Sequence, residues 1–393
     1  MMTEAAALRD LRREFAGRFG ACRAFSAPGR INLIGEHTDY NQGFVLPMAL
    51  ERRTYVVGVL RPDRVVNVRS TNTSSQCSFD LDRPGPPRRG GWVDYVEGTA
   101  QAMLKRGLPV PGAELLISSD IPIGAGLSSS AALEVAVAYA FARLAGMTAP
   151  NLVELALSGQ AAENDYVGAR VGIMDQFIAA LAEPDSALLI DCRSLERNVV
   201  PLELGTAKIL ICDTRVKHQL ASSAYNERRD QCEQGTRLIR EEFPEVRSLR
   251  DVSAKQLEQT SARLPEVIQR RCRHVITENA RTLQATLALG RGDLKYVGEL
   301  FSRSHQSLRD DYQVSCAELD AAVEAALTEP GVYGSRMTGG GFGGCTITLL
   351  EESAIERVTE AIRARFRGQF GVPPEFFVSK ACGGVQEHDA LRS

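Results

Sequence analysis

A chain of 393 residues that is 44% hydrophobic and 24% charged is long enough for two domains, and its composition excludes intrinsic disorder. A formal net charge of −3 and an isoelectric point near 6.1 exclude a broad basic surface for nucleic acid, so an anionic ligand has to be bound by local groups. The nine cysteines are odd in number and never spaced as C-x-x-C, which argues against a disulfide framework and a zinc knuckle.

The N-terminal sequence MMTEAAALRDLRREF predicts a charged amphipathic helix and lacks the apolar core of a signal peptide. No later segment runs 18 residues without a charge. We therefore expect a cytoplasmic protein that binds neither membranes nor nucleic acid. We also expect a monomer or a weak dimer.

In the first half of the chain, short β-branched runs bounded by turn residues predict strands, and longer apolar runs predict helices. The expected strands are Arg52–Leu60, Val65–Arg69, Glu114–Ser118 and Ala187–Asp191. The expected helices are Ser128–Leu144, Leu152–Tyr166 and Met174–Leu181. The first of these helices has apolar residues on all sides, which is typical of a buried helix.

The second half is predicted to be mostly helical. The expected helices are Tyr225–Glu242, Glu266–Leu289, Leu294–Arg309, Cys316–Leu327 and Ala354–Phe366, and the expected strands are Lys208–Asp213, Cys345–Leu350 and Phe376–Ser379. Because strands and helices mix without the regular alternation of a doubly wound fold, we predict the α+β class. The polar stretch Cys192–Gly205 places the domain boundary near residue 195, giving domains of residues 1–195 and 196–393.

The segment Pro122–Ala132 (PIGAGLSSSAA) places two glycines and three serines directly before the buried helix. A helix N-terminus offers unpaired N–H groups and about half a positive charge, and glycine lets the backbone approach a phosphate closely. The segment lacks the G-K-[ST] ending of a P-loop and the spacing of a dinucleotide fingerprint. A glycine turn with a serine cap is the alternative, so this segment alone leaves both interpretations open.

The segment Ala27–Tyr40 (APGRINLIGEHTDY) concentrates Arg30, Glu36, His37 and Asp39 in a glycine-flanked stretch. A carboxylate accepts hydrogen bonds from neighbouring hydroxyls, and a histidine can donate or accept. This cluster predicts a site for a polyhydroxy ligand, with a charged surface loop as the alternative.

The sequence RINLIGEHTDYN resembles the signature of the galactokinases. PIGAGLSSSAA resembles the nucleotide motif of the wider family of galactokinase, homoserine, mevalonate and phosphomevalonate kinases (GHMP kinases), and GIMDQF, SRMTGGGFGGC and KHQLASSAYNERRDQC resemble other motifs of its members. The likeness spans nearly the whole chain. It implies a ribosomal S5-like N-terminal half and a ferredoxin-like C-terminal half with the active site between them.

The resemblance also implies an activity, ATP-dependent phosphorylation of the anomeric hydroxyl of α-D-galactose in galactose utilisation. The products would be galactose 1-phosphate and ADP, and Mg²⁺ would be required. Arg30 and Asp175 would form the catalytic pair. The residues that bind the sugar would be Glu36, His37, Thr38, Asp39, Gly172 and Tyr225. Those that bind ATP would be Gly124, Ala125, Gly126, Leu127, Ser128, Ser129 and Ser130, with Trp92 stacked on adenine, and the Mg²⁺ ligands would be Ser130 and Glu163.

Three roles stay open on the sequence. Asp175 is either a general base or a group that orients the attacking hydroxyl. Trp92 is either the adenine platform or a core residue. The glycine run Gly339–Gly344 either lies against the phosphate loop or is a plain strand turn.

Three other functions are compatible with parts of the pattern. A kinase of N-acetylgalactosamine would share the same motifs. A non-catalytic sensor would bind galactose and ATP and contact a transcriptional regulator, but the intact GLSSSAA motif and the presence of Arg30 and Asp175 argue against it. A homoserine or mevalonate kinase would share the glycine loops, but the EHTD cluster argues against these two.

Overall fold

The computed structural model describes residues 9, 11–15, 19, 22–86, 89–217 and 221–389. Of the predicted N-terminal helix, residues 11–15 are helical, and most of the remainder lies outside the described residues. Within the described ranges, we find no helix that is both long enough and apolar enough to span a bilayer.

The described elements alternate irregularly between strands and helices. The strands are β1 (Arg23–Asn32), β2 (Phe44–Val45), β3 (Pro47–Leu60), β4 (Val65–Ser70), β5 (Ser75–Asp80), β6 (Ala113–Ser119), β7 (Ser186–Asp191), β8 (Arg197–Pro201), β9 (Ala207–Lys217), β10 (Val332–Thr338), β11 (Gly343–Glu351), β12 (Glu375–Val378) and β13 (Gln386–His388). The α-helices are α1 (Trp92–Lys105), α2 (Ser129–Leu144), α3 (Leu152–Ala161), α4 (Met174–Leu181), α5 (Ala221–Arg240), α6 (Ala254–Thr260), α7 (Glu266–Leu289), α8 (Leu294–Ser307), α9 (Ala317–Leu327) and α10 (Ile355–Gln369). Two π-helices are Ala162–Val167 and Leu308–Tyr312, and short 3-10 turns are Asp39–Asn41, Leu249–Asp251, Ser261–Arg263 and Glu352–Ala354.

The strands form three sheets, in the orders β13-β1-β3-β6-β4-β5, β10-β11-β9-β12 and β2-β7-β8. In the first sheet only β4 and β6 pair in parallel among the described strands. Helix α2 lies against β1 and β3. Its many alanines let it approach the sheet closely, and they are buried with the sheet's apolar side chains in one core. This packing fixes the N-terminus of α2 beside the end of β1.

The α+β prediction is confirmed, and most predicted elements are present. The helix predicted for Leu152–Tyr166 is α-helical only to Ala161. It continues to Val167 as a π-helix, in which the turn is wider. Strand β8 lies inside the polar stretch Cys192–Gly205, in which the domain boundary is predicted and no strand is expected. Among the residues of β8 only Val200 is buried, so the apolar pattern of a strand is missing there.

Strands β1, β2, β5, β10 and β13 and helices α1 and α6 were not predicted either. Strand β10 is buried along most of its length although it contains Ser335, Arg336 and Thr338. Their polar groups bond to other protein groups rather than to water, which is how a polar strand can be buried.

The predicted boundary at residue 195 falls in the turn of the β7–β8 hairpin. The chain also returns at its end to the first sheet, where β13 pairs antiparallel with β1. The second sheet is built wholly from the second half of the chain. The division into residues 1–195 and 196–393 stays a prediction, and strand β13 would be an exception to it.

Candidate active site

A cavity of about 260 Å³ lies between the first sheet's helices and the turn that joins β10 to β11. It brings together most of the residues that the sequence analysis selected. The lining residues are Arg30, Glu36, His37, Asp39, Gly124, Gly126, Leu127, Ser128, Ser129, Ser130, Val171, Gly172, Met174, Asp175, Tyr225, Gly339 and Gly340. The predicted sugar cluster and the predicted phosphate loop therefore face one another across one space.

The Arg30–Asp175 pair lies at the centre of this cavity. Arg30 donates from Nε to Asp175 Oδ1 over 2.8 Å and from Nη2 to Oδ2 over 2.7 Å, while its Nη1 donates to the carbonyl of Gly126 over 2.6 Å. Asp175 Oδ2 also accepts from the hydroxyl of Ser128. Such two-pronged, charge-assisted pairs hold both partners in one geometry. Arg30 is buried whereas the Asp175 side chain is 28% exposed, so the carboxylate faces the cavity.

The glycine-serine loop has the backbone of an anion cradle. Gly124 and Gly126 have φ near +75°, and Ser128 has φ +60°, all in the left-handed region. This path turns the chain into the N-terminus of α2, which has no side-chain cap among the described residues. The first N–H groups of the helix are therefore available to a bound anion.

The second glycine run lies directly against this loop. A Cβ atom on Gly339 would lie 2.8 Å from the carbonyl oxygen of Gly126, and one on Gly344 would lie 2.9 Å from that of Ala125. The prediction that Gly339–Gly344 abuts the phosphate loop is confirmed. Glycine is required because two stretches of backbone are in contact.

Glu36 is held by partners within the protein. Its Oε2 forms an ion pair with Arg336, and its Oε1 accepts from the backbone N–H of Gly339 over 3.1 Å. Arg336 is completely buried and also lies 3.8 Å from Glu278 Oε1. Burial raises the pKa of Glu36 against the opposing effect of Arg336. Glu36 lines the cavity and anchors β10 to the sugar cluster at the same time.

His37 is held by an aromatic network. Its backbone is left-handed, with φ +64°, and its Nδ1 is 2.7 Å from the hydroxyl of Tyr40. That hydroxyl is 2.7 Å from the hydroxyl of Tyr312. Burial, with the nearby His274 and Arg228, lowers the pKa of His37 to about 3. The ring is therefore neutral at physiological pH.

Asp39 is half-buried, contacts Gly172, and lines the same cavity as Arg30 and Asp175. Burial and the charge of Asp175 raise its pKa to about 6, while a bond from the Tyr40 backbone opposes them. It is therefore mostly ionised at pH 7 and accepts hydrogen bonds, as a sugar site requires.

The two other predicted sugar residues differ in position. Tyr225, on α5, lines the cavity with its ring centroid 5.6 Å from that of His37. Thr38 is buried outside the lining, and its hydroxyl contacts the carbonyls of Gly35 and Phe44 at 2.8 and 2.6 Å. The hydroxyl of Thr38 is thus used to shape the loop, and a contact between Thr38 and a sugar stays a prediction.

The predicted metal ligands Ser130 and Glu163 meet at the start of α2, where Glu163 bonds to the Ser130 side chain. Gln176 Nε2 donates to Glu163 Oε2 over 2.8 Å and to Glu134 Oε2 over 2.9 Å. Burial, followed by the charge of Asp175, raises the pKa of Glu163 to about 7. The carboxylate of the buried Glu163 and the hydroxyl of the half-buried Ser130, beside the glycine-serine loop, fit Mg²⁺, which takes few protein oxygens together with phosphates and waters.

A second cavity of about 340 Å³ adjoins the first and shares Gly124, Ser129 and Ser130 with it. Trp92 lines it, and its indole N–H donates to Ser75 Oγ over 2.8 Å, which fixes the ring. Trp92 also packs against the core, as one of the two interpretations predicted, and its role as the adenine platform stays a prediction. The exposed side chain of Ile123 lies in the same wall.

Several site residues were not selected from the sequence. Arg336 and Gln176 lie inside the quoted motifs SRMTGGGFGGC and GIMDQF, so membership of a motif was a signal that could have found them. Tyr312 and His274 carry no such signal, because they are brought to His37 only by the packing of the second half on the first.

This arrangement can bind a phosphate chain on the helix N-terminus and a polyhydroxy ligand on the acidic cluster. The Arg30–Asp175 pair lies between the two, within reach of both. The geometry suits the transfer of a phosphoryl group to a hydroxyl, where positioning and charge stabilisation supply most of the catalysis.

Known proteins resemble this chain in sequence. The galactokinase galactose-binding signature matches residues 13–59, the N-terminal domain model of the GHMP kinases matches residues 94–183, and their C-terminal model matches residues 285–368. A galactokinase of Chloroflexus aggregans is 49% identical over 365 residues, which cover 92% of this chain and 93% of the relative. The human galactokinase is 46% identical over 391 residues, covering 96% of each chain.

Solved structures agree with these matches. A galactokinase of Lactococcus lactis in complex with galactose superposes with a TM-score of 0.92 at 36% identity, over 97% of this chain and 99% of that one. A mevalonate kinase of Methanococcus jannaschii shares the fold, with a TM-score of 0.63 at 17% identity over 93% and 99% of the two chains.

Proposed function

We propose that this chain, which belongs to the galactokinases of the GHMP kinase family, transfers the γ-phosphoryl group of ATP to the anomeric hydroxyl of α-D-galactose. The products are galactose 1-phosphate and ADP. The observation that carries the proposal is the position of the Arg30–Asp175 pair, which touches the phosphate loop through Gly126 and Ser128 and faces the acidic sugar cluster.

Asp175 orients the attacking hydroxyl in this proposal. Its two oxygens already accept three hydrogen bonds, two from Arg30 and one from Ser128. A carboxylate offers about four lone-pair sites, so one is left for the sugar hydroxyl. Because phosphoryl transfer is usually loose, the hydroxyl needs alignment more than early loss of its proton. We therefore favour orientation over general-base catalysis for Asp175.

Arg30 and the N-terminus of α2 stabilise charge on the phosphoryl group. Arg30 is fixed by three hydrogen bonds, so it needs no reorganisation when charge develops nearby. The unpaired N–H groups of α2 and the left-handed backbone at Gly124 and Gly126 hold the phosphate chain. When bound, Mg²⁺ would neutralise phosphate charge, and Ser130 and Glu163 would hold it.

The nucleotide base would occupy the second cavity. That cavity opens from the phosphate loop at Ser129 and Ser130 and ends at Trp92. An aromatic ring fixed by a hydrogen bond to Ser75 offers a rigid surface for stacking a planar base. We further propose that the protein acts in the cytoplasm, where ATP is supplied, and as a monomer or weak dimer.

An ADP-coupled assay with a panel of acceptors tests the proposal. We expect ADP release that depends on galactose and on Mg²⁺, with much weaker turnover of N-acetylgalactosamine, homoserine and mevalonate. A preference for N-acetylgalactosamine would replace the sugar in the proposal, whereas binding of galactose and ATP without ADP release would show a sensor.

A further inference from the structure

Gln176, in the first turn of helix α4, bridges two acidic residues. Its Nε2 donates to Glu163 Oε2 over 2.8 Å and to Glu134 Oε2 over 2.9 Å. An amide NH₂ group has two hydrogens, so each carboxyl group receives one of them. One side chain therefore fixes the relative positions of two carboxyl groups.

The three side chains of this bridge differ in depth. Gln176 and Glu134 have no exposed surface, whereas Glu163 is 8% exposed. Glu163 is also the member of the bridge that bonds to the side chain of Ser130, in the glycine-serine loop. Gln176 and Glu134 thus lie deeper in the protein and support Glu163 from behind.

Close packing of helix α3 holds the stem of Gln176 in place. A Cβ atom on Gly159 would lie 3.1 Å from Gln176 Cγ and 3.1 Å from Glu134 Cβ, so α3 approaches both side chains closely. Directly after α3 the chain widens into the π-helix Ala162–Val167, in which Glu163 is the second residue. Such local widening is frequent at functional sites. Packing as well as hydrogen bonding therefore fixes Gln176 against Glu163.

The amide of Gln176 has one orientation if Glu163 binds a metal. A carboxylate that holds a cation is ionised and can only accept hydrogen bonds. The atom of Gln176 that faces Glu163 is then the NH₂ nitrogen. Gln176 Oε1 is buried and has no hydrogen-bond partner among the described residues. Within the described part of the chain, the amide thus serves the two carboxyl groups and no other group.

We propose that Gln176 is a positioning residue that holds the Glu163 carboxylate in the orientation needed to bind Mg²⁺ beside Ser130. The bond from Gln176 uses one of about four lone-pair sites of the carboxylate, so sites remain for a cation. A hydrogen bond to a metal-binding carboxylate restricts its orientation, and loss of such an outer partner typically weakens metal affinity by about 10- to 100-fold. This inference rests on the proposed function, in which Glu163 and Ser130 hold the metal.

Gln176→Met tests this role, because methionine is unbranched and of similar length but has no N–H donor. The measurement is calorimetric titration with ATP at several Mg²⁺ concentrations, without sugar. We expect the Mg²⁺ concentration that gives half-maximal ATP affinity to rise by about tenfold or more.

Gln101→Met is the matched control and should leave the Mg²⁺ requirement unchanged. Gln101 is also buried, but it lies outside both cavity linings, and in the hydrogen bonds of the described residues its Nε2 donates to the carbonyl of Leu81 alone, over 3.3 Å. If Gln176→Met does not fold, Gly159→Ala displaces the stem of Gln176 instead, and the same rise is expected.

A double-mutant cycle separates positioning from general damage to the site. In a Glu163→Gln background the carboxylate to be positioned is gone, so adding Gln176→Met should change the Mg²⁺ requirement by less than about twofold. An equal rise in both backgrounds would overturn the inference, as would an unchanged Mg²⁺ requirement in Gln176→Met or in Glu163→Gln alone. Failure of the proposed function would look different, because the wild type would then release no ADP with galactose, whatever the Mg²⁺ requirement of ATP binding.

Discussion

Asp39 and Gly172 are in direct contact, since a Cβ atom added to Gly172 would lie 1.9 Å from Oδ2 and 2.2 Å from Cγ of Asp39. Gly172 precedes helix α4, whose first turn contains Asp175. The acidic sugar cluster is thereby packed against the helix that carries the proposed catalytic carboxylate. The requirement for glycine here is one of space and not of backbone conformation, because Gly172 does not have a positive φ.

Gly172→Ala should therefore displace the Asp39 carboxylate. Losing a charged acceptor for sugar hydroxyls costs about 1.5–3 kcal/mol, so we expect the galactose KM to rise by about 10- to 100-fold. The ATP KM should stay within about twofold. Gly368→Ala is the matched control, because a Cβ there meets nothing within 4 Å. Equal changes in the two KM values would show that the substitution disturbs the whole site and not the sugar cluster.

The acid side of the pH profile should report Asp39. Because its pKa is raised to about 6, lowering the pH through 6 protonates the carboxylate and removes an acceptor. We expect kcat/KM for galactose to fall by up to about tenfold per pH unit below 6, since this ratio reports the free enzyme. His37 and His274, with pKa values of about 3 and 4, stay neutral throughout this range and add no limb.

Two variants assign this limb. Asp39→Asn should abolish it while lowering kcat/KM at pH 8. Asp175→Asn should keep the limb but shift it to lower pH, because the charge of Asp175 contributes to the raised pKa of Asp39. A limb that persists unchanged in Asp39→Asn would contradict the assignment.

Local motifs made much of the site predictable. Arg30, Asp39, Gly172 and Asp175 lie in short signatures whose residue types already indicate their chemistry, and the structure places all four at one cavity. The residues that pack behind these side chains could not be predicted in the same way. Tyr312 lies against His37 only because the widened helix end and a buried stack of rings bring them together, and neither feature has a sequence period.

Some helices and strands were not predicted from the sequence because the residues that they bury are not all apolar. Helix α1 buries Asp94, Glu97 and Gln101 along with its apolar residues, which obscures the amphipathic pattern. Both carboxylates pair with Arg89, which lies outside the helix, so the charges are compensated by a residue that no local window includes.

Arg336 is another buried ion-pair partner, and we expect its loss to lower the stability of the protein. It is fully buried between Glu36 and Glu278. Although burial alone would raise the pKa of Glu278, Arg281, the neighbouring His274 and Arg336 lower it to about 2. Arg336→Met removes one of these charges, so we expect the free energy of unfolding to fall by about 3–5 kcal/mol in urea denaturation at pH 7.

Arg365→Met is the control for Arg336→Met, because Arg365 pairs with Glu324 on the surface. There the expected change is below about 1 kcal/mol. Similar losses in the two variants would show that the buried network around Glu36 adds no special stability. In folded Arg336→Met protein, we also expect a higher galactose KM, because Glu36 loses its anchor.

Glu163 can be tested as a metal ligand with Glu134 as its control, because Gln176 Nε2 donates to both carboxylates. Glu163→Gln should raise the Mg²⁺ concentration needed for ATP binding, because an amide attracts a hard cation less than a carboxylate of the same shape. Burial, followed by the charge of Glu163, raises the pKa of Glu134 well above its ordinary range. Glu134 lies outside the cavity lining and is not a predicted metal ligand, so Glu134→Gln is the control for Glu163→Gln. Calorimetric titration of ATP at several Mg²⁺ concentrations should thus separate the two variants, and equal Mg²⁺ requirements would remove Glu163 from the site.

Asp175→Asn tests the catalytic pair. In the wild type, the two oxygens of Asp175 accept three hydrogen bonds. The amide of the variant keeps the shape of the carboxylate but replaces one of these acceptor oxygens with an NH₂ group. We expect kcat to fall by at least about 100-fold, with galactose affinity, measured by direct binding, changed by less than about tenfold. Asp191→Asn is the matched control, because Asp191 forms a similar two-pronged pair with Arg250 outside the cavity lining.

The pH dependence of kcat then separates the two roles of Asp175. If the carboxylate only orients the hydroxyl, kcat of the wild type has no acid limb between pH 5 and 8 that Asp175→Asn abolishes, because no proton has to be accepted before attack. If it is a general base, such a limb is present in the wild type and absent in the variant. The limb assigned to Asp39 does not confuse this test, since it appears in kcat/KM for galactose and disappears at saturating sugar. The three hydrogen bonds on Asp175 favour orientation, so we expect no acid limb in kcat that Asp175→Asn abolishes. A limb near pH 6 that this substitution abolishes would show that Asp175 takes the proton.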